Sequence, residues 1–178
     1  AISLFERCSY RFYAERVAGM RPAPWAPGEG DGGLHPTELG DAAHRVLELV
    51  SLDAPDVPPA WEERVRTWYP SVRDDELARI GRHVQGYVGS SLARRIAGLE
   101  GVRPERPFAF ELDGIVLNGR LDVLWARGEQ ALVLDYKTNA LLGREPATIV
   151  DAEYRGQRTV YALACLRAGA REVEVVYQ

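Results

Sequence analysis

Residues Ala131–Leu134 form an unbroken apolar run that stops abruptly on Asp135-Tyr136-Lys137. An apolar run this short, with no alternation, fits a strand covered on both faces, so Ala131–Lys137 belongs at the centre of a sheet. Residues two apart on a strand share a face. Asp135 and Lys137 therefore project together, while Tyr136 points the other way and leaves its carbonyl near the acidic site. Lys137 is the only lysine among 22 basic residues; the other 21 are arginines. A compact ammonium and a planar guanidinium are not interchangeable, so this single lysine stands out chemically. It follows Asp135-Tyr136 rather than closing a G-x-x-x-x-G-K-[ST] loop, which excludes an ATPase of the phosphate-loop type.

The rest of the chain arranges itself around that strand. Phe5, Cys8, Phe12 and Tyr13 recur at helical spacing, predicting a helix over residues 2–18. Residues 19–36, rich in glycine and proline, read as a loop. Thr37 is the expected N-cap of a helix near 38–51, whose apolar stripe runs through Leu39, Ala42, Ala43, Val46, Leu47 and Val50. His44 lies beside that stripe, one turn after Gly40. After a proline-rich linker at 53–59, Trp61, Val65 and Trp68 mark a short helix. Leu77, Ile80, Val84, Tyr87 and Leu92 mark a longer one, weakened by Gly81, Gly86 and Gly89. The period then changes to two. Phe108, Phe110 and Leu112 alternate up to an Asp113-Gly114 hairpin turn, a second strand spans Ile115–Trp125, and Gly128 turns into the apolar strand. Residues 151–168 read as helix, and Val173, Val175 and Tyr177 as a final strand. The helix starting almost at residue 1 and the strand stopping at the last residue predict a single domain, 1–178, cut from a longer protein.

Composition narrows the function classes. The chain has 178 residues, 46% hydrophobic and 27% charged, which suits one globular domain and argues against disorder. No apolar run approaches a bilayer-spanning length. Cys8 and Cys165 form neither a disulfide framework nor a zinc cluster, and a reducing cytoplasmic compartment is expected. The formal charge of −4 disfavours a generic basic nucleic-acid binder.

Asp122 lies on the strand before Asp135, across a tight turn, so antiparallel pairing can bring the two carboxylates together. Such a pair repels unless a cation lies between, which points to Mg²⁺ or Mn²⁺. A lysine beside them can orient a water or neutralise charge building on a phosphorus centre. An isolated D-x-K is more often a plain surface ion pair; the sequence around this one decides otherwise.

Gly119-Arg120-Leu121-Asp122 followed by Val133-Leu134-Asp135-Tyr136-Lys137-Thr138 resembles the G-R-x-D … D-Y-K-T signature of RecB-like nucleases, members of the PD-(D/E)XK superfamily. Three further stretches resemble the family in the same order. Phe5–Tyr13 is similar to its opening C-P-y-r-F helix, with Ser9 in place of proline. Gly40–Leu47 is similar to its G-x-x-x-H-x-x-L helix. Gln157 and Tyr161 match Q-x-x-x-Y. The resemblance implies an α/β fold with a restriction-endonuclease-like core (helix, three strands, helix, strand) and inserted helices. It implies that His44, Asp122 and Asp135 bind metal with the Tyr136 carbonyl, and that Lys137 is catalytic together with Asp122 and Asp135. An imidazole in the position of His44 protonates at about pH 6.5 when unperturbed. Gln157 and Tyr161, one turn apart, face the DNA strand, brace the site, or simply pack together. Arg120 reads as a structural or backbone-contacting residue rather than a catalyst, and His35 and His83 as solvent-facing. One branch of the family carries four cysteines for an iron–sulfur cluster; this chain resembles the cluster-free branch.

The implied function is a Mg²⁺- or Mn²⁺-dependent deoxyribonuclease acting in DNA end processing, recombination or repair. Water would attack the phosphodiester, leaving 5′-phosphate and 3′-hydroxyl ends, and the domain would work beside a helicase motor. The alternative is the same fold with catalysis lost, holding DNA ends or partner proteins; the intact His, Asp, Asp and Lys favour the enzyme. Arg7, Arg11, Arg16, Arg155 and Arg158 are the basic rim that the sequence offers to DNA.

Overall fold

The computed structural model describes residues 8–20, 32–138 and 143–178, without the side chain of Arg16. Phe5, Arg7 and the start of the expected first helix lie outside the described residues. Next along the chain is a short helix α1, Ser9–Phe12, capped by the Cys8 sulfur and continued as a π-helical turn over Tyr13–Val17.

Helix α2 spans Pro36–Leu47. Its cap is His35, not Thr37: the His35 ring nitrogen accepts from the Thr37 amide at 3.3 Å, and Glu38 reaches back to the His35 amide at 2.9 Å. Proline decides the shift, because its fixed φ and missing N–H suit the first helical position. The short helix appears as α3, Trp61–Trp68. The expected long helix breaks into α4, Asp74–Val88, and α5, Ser91–Ala97, because the Ser90 hydroxyl caps a new start by accepting from the Ala93 amide at 3.0 Å. Gly81 is no simple weakness in α4. A side chain there would meet the Trp61 ring at 3.2 Å, so the glycine admits the α3 tryptophan. Glu76, buried in the first turn of α4, accepts from the Leu34 and Arg73 amides at 2.9 Å each and so ties the segment entering α2 to α4.

Strands β1 (Arg103–Leu112), β2 (Ile115–Arg127), β3 (Gln130–Asp135) and β4 (Glu172–Tyr177) form one sheet in the order β1-β2-β3-β4. β1 begins five residues before Phe108, the first residue of the alternating pattern. Pro104 and Pro107 hide the early part in the sequence, and an edge strand tolerates them because one side donates to no neighbour. β1 and β2 close through a two-residue turn, with Asp113 at φ 51° and Gly114 at φ 77°. β3 is central, antiparallel to β2 and parallel to β4. The intervening crossover carries α6, Pro146–Glu153, and α7, Arg155–Arg167, where the sequence predicted a single helix; the chain bends at Tyr154.

Two apolar clusters cover the sheet. α2, α3, α4 and α5 pack with Val123, Leu134 and Tyr136, while Tyr161 and Cys165 of α7 pack with Leu121, Ala131 and Val133. β3 is thus buried on both faces, as its uniform apolar run requires. β2 is less regular. Leu121 and Val123, which strict alternation would place on one face, belong to opposite clusters. The slip falls at Asp122, opposite Glu105, whose φ is 51°. Pairing resumes on both sides, at Pro104↔Val123 and Arg106↔Leu121.

Gly119 faces Phe108 across the sheet, and a Cβ there would lie 2.8 Å from the Phe108 ring. That ring is held by Phe110, stacked at 6.1 Å, and by Tyr161, edge-on at 6.0 Å. Gly119→Ala should therefore cost about 1–3 kcal/mol through overpacking. The check is a urea titration, in which the midpoint falls without a change of slope.

Candidate active site

The site lies where β2 and β3 stop pairing. Val123↔Leu134 is the last ladder pair, and just beyond it stand Asp122 and Asp135. Asp122 turns toward α2. Its Oδ2 accepts from His44 Nε2 at 2.9 Å and from the Tyr136 amide at 2.8 Å. Asp135 turns toward α7. Its Oδ1 accepts from the Tyr161 hydroxyl at 2.8 Å and from the Gln157 amide at 3.0 Å. Its Oδ2 is buried and, among the described residues, meets the Lys137 ammonium alone, as an ion pair.

Gln157 closes a ring of contacts. Its carbonyl accepts from Lys137 Nζ at 2.9 Å, and its amide donates to Asp135 and, at 2.7 Å, to the Tyr161 oxygen. Of the roles expected for Gln157 and Tyr161, the geometry therefore displays bracing. Helical spacing explains it, because residues four apart stack on one face and present both polar groups to the same carboxylate.

Charge accounts for the division into two halves. Burial pushes the Asp135 carboxyl above its ordinary value and the nearby Asp122 charge adds to that, while Lys137 and Tyr161 oppose it. Burial, then the adjacent Asp135, raises the Tyr161 phenol, so it keeps its proton and donates. On the other side both His44 nitrogens face carboxylates, Nε2 toward Asp122 and Nδ1 toward Glu48 at 3.0 Å. The hydrogen bond to Asp122 raises His44 from 6.5 to about 9, against the opposing effect of burial and with support from Glu48. The expectation of an imidazole titrating at its ordinary value is thus corrected. His44 is an imidazolium at neutral pH in this arrangement.

The expected ligands are brought close without all converging. His44 touches Asp122, and Asp135 stands with Lys137. Among the described residues, the group whose ligand atoms all lie within 4.8 Å of one another is His44, Glu48 and Glu105. Sequence reasoning missed both glutamates. Glu48 was visible in principle, one helical turn after His44. Glu105 was not, since only the cross-strand register sets it opposite Asp122. Among the described residues, one Glu105 oxygen is buried without a partner, and the other pairs with Arg120 at 2.6 Å.

His35 is solvent-exposed as expected, while His83 departs from that expectation. His35 caps α2, and His83 is half-buried on α4, where burial lowers its pKa. In the expected basic rim, Arg11 pairs with Glu15 at 2.5 Å and Arg158 with Asp151 at 2.9 Å. Among the described residues, no helix is long and apolar enough to cross a membrane.

A sequence profile of the PD-(D/E)XK nuclease superfamily matches residues 1–178. The chain belongs to the PD-(D/E)XK nuclease superfamily. Its α/β architecture, with a central β3 that ends at Asp135 and is followed directly by Tyr136 and Lys137, is consistent with that membership. Three curated relatives are the A subunits of ATP-dependent helicase/nucleases. The one from Desulforamulus reducens is 29% identical over 75% of this chain. Those from Enterococcus faecalis and Desulforudis audaxviator are 26% and 28% identical over 79% and 82% of it. The chain spans only 12–13% of the length of these superfamily relatives.

The sign of the His44 shift gives a test on metal-free protein. A pKa raised from 6.5 to about 9 contributes stability that is full below pH 6.5 and lost as pH rises through about 9. Proton NMR of the EDTA-treated protein should show His44 titrating near 9. Asp122→Asn should pull it back toward 6.5 and flatten the loss of urea resistance across that window.

Proposed function

We propose that this chain is a divalent-metal-dependent DNA nuclease that hydrolyses phosphodiesters as the nuclease module of a helicase–nuclease. The observation that carries it is the Asp135 carboxylate, 3% exposed as a residue, one oxygen of which meets, among the described residues, the Lys137 ammonium alone. A buried carboxylate is costly unless its charge is used, and Asp122 nearby makes it costlier. The donor set fits Mg²⁺ or Mn²⁺: two carboxylates, an imidazole and the Tyr136 carbonyl, with the imidazole favouring Mn²⁺. His44, giving up its proton as the ion binds, would hold it together with Asp122, Asp135 and Tyr136. When bound, it supplies Lewis acidity toward a phosphodiester oxygen and toward water.

The chain's own groups do the rest. Lys137 orients water or offsets negative charge developing on the phosphorus oxygens. Gln157 fixes that ammonium relative to Asp135, and Tyr161 keeps Asp135 aimed by donating to it. Both Gln157 and Tyr161 are spent on this bracing, so DNA is held chiefly by other groups. The net charge of −4, with Arg11 and Arg158 already paired, supports weak binding to DNA without metal. The names of the helicase/nuclease relatives support a motor domain as the partner that feeds strand into the site.

Purified protein should degrade DNA with Mg²⁺ or Mn²⁺, and EDTA should abolish the activity. Lys137→Ala should lower the rate by about 100-fold or more while calorimetry still detects Mn²⁺ binding, since the lysine is not a ligand. Undiminished digestion by that variant would overturn the mechanism. Binding of DNA ends by wild-type protein, with no cleavage under any divalent ion, would favour a binding module instead.

Digestion by the isolated chain should also be distributive, with intermediate lengths accumulating on a gel when DNA is in excess. Long processive digestion by the chain alone would contradict its dependence on a motor partner.

A further inference from the structure

Lys137 is gripped on a side that the acidic site does not explain. Its Nζ lies 4.5 Å from the centre of the Tyr154 ring and 5.6 Å from that of Tyr177. The two rings stack at 5.5 Å with an angle of 27° between their planes. They reach the same point from different elements. Tyr154 is the residue at which the crossover breaks between α6 and α7, with φ −123° and ψ 9°, and it is 6% exposed. Tyr177 ends β4, and its hydroxyl donates to the Tyr154 carbonyl at 3.4 Å. The backbone is registered as well: the Lys137 amide donates to the Gln178 carbonyl at 2.7 Å, and the Gln178 amide to the Asp135 carbonyl at 3.2 Å.

We propose that Tyr154 and Tyr177 are positioning residues that clamp the Lys137 ammonium for phosphodiester cleavage; the inference rests on Lys137 acting in the proposed nuclease. The electron-rich faces of aromatic rings attract an ammonium, more strongly when it is partly desolvated. The Lys137 side chain is 21% exposed, so the attraction is only partly screened. Asp135 also grips the ammonium, but the same carboxylate is wanted by a divalent ion. Ring faces carry no net charge and do not compete for that ion. The clamp therefore holds the ammonium whether or not Asp135 is engaged elsewhere, and Gln157 completes the grip from the other side.

The only lysine in the chain makes this testable by isotope labelling. Protein grown on ¹³C,¹⁵N-lysine, without a lysine-containing tag and treated with EDTA, should give one side-chain spin system. Its Hε protons should lie upfield of free lysine because they sit over ring faces. Tyr177→Leu should return the signal toward the free position and lower kcat about tenfold with Mg²⁺, with KM for DNA little changed. Tyr177→Phe, which keeps the ring face, should restore both. An Hε signal at the free-lysine position in folded wild-type protein would overturn the clamp, and so would an unchanged kcat in folded Tyr177→Leu. The wild-type signal decides the matter even if the leucine variant fails to fold. Because that signal needs neither DNA nor metal, the two readings separate. An upfield signal in protein that cuts no DNA leaves the clamp geometry and overturns its catalytic purpose together with the nuclease. An ordinary signal in protein that does cut DNA overturns the clamp alone.

Discussion

A carboxylate at the end of a central strand, buried and within reach of a second one, is an electrostatic liability that the surrounding structure is built to contain. Asp135 is held by three side chains: the Lys137 ammonium, the Gln157 amide and the Tyr161 hydroxyl. Asp122 is held by His44 and by the Tyr136 amide. Each acid has a cation of its own, His44 for one and Lys137 for the other. Each cation offsets the repulsion between two carboxylates held near one another.

The fold can be understood as the means of delivering those partners. α2 brings His44 to one face of the sheet, and the entry to α2 is fixed by Glu76, which binds the Leu34 amide from the first turn of α4. α7 brings Gln157 and Tyr161 to the other face, and Phe108 against Gly119 sets how closely α7 and the edge of the sheet approach. The irregularity in β2 belongs to the same scheme. A strand alternating without interruption would keep Asp122 with its even-numbered neighbours; the slip beside Glu105 lets it reach α2 instead. Glu105, a non-glycine residue at positive φ, marks the local strain at that slip.

Much of this was legible in the residues themselves, for identifiable reasons. The central strand announced itself by an apolar run that only double-sided burial explains. The hairpin at Asp113-Gly114 was carried by residues suited to positive φ. Gln157 and Tyr161 were readable as a pair because helical periodicity puts positions four apart together. The misplaced boundaries arose where a local cap or proline outweighed periodicity: His35 ahead of Pro36, Ser90 inside an apolar stripe, and the early part of β1 masked by Pro104 and Pro107.

The sequence by itself determined the element order, the central strand that ends at Asp135, and the chemical types at the site, because these depend on short-range periodicity and on side-chain chemistry; the strand stops at Asp135, two residues short of the expected Lys137. Only the tertiary structure decided that His44 is an imidazolium wedged between Asp122 and Glu48, that Glu105 stands opposite Asp122, and that Tyr154 and Tyr177 meet over the lysine. Each of these joins residues from elements far apart in the chain or turns on a break in regular alternation. Protonation, too, is a property of surroundings: burial and a facing carboxylate moved His44 away from its ordinary value, and neither is written in the identity of the residue.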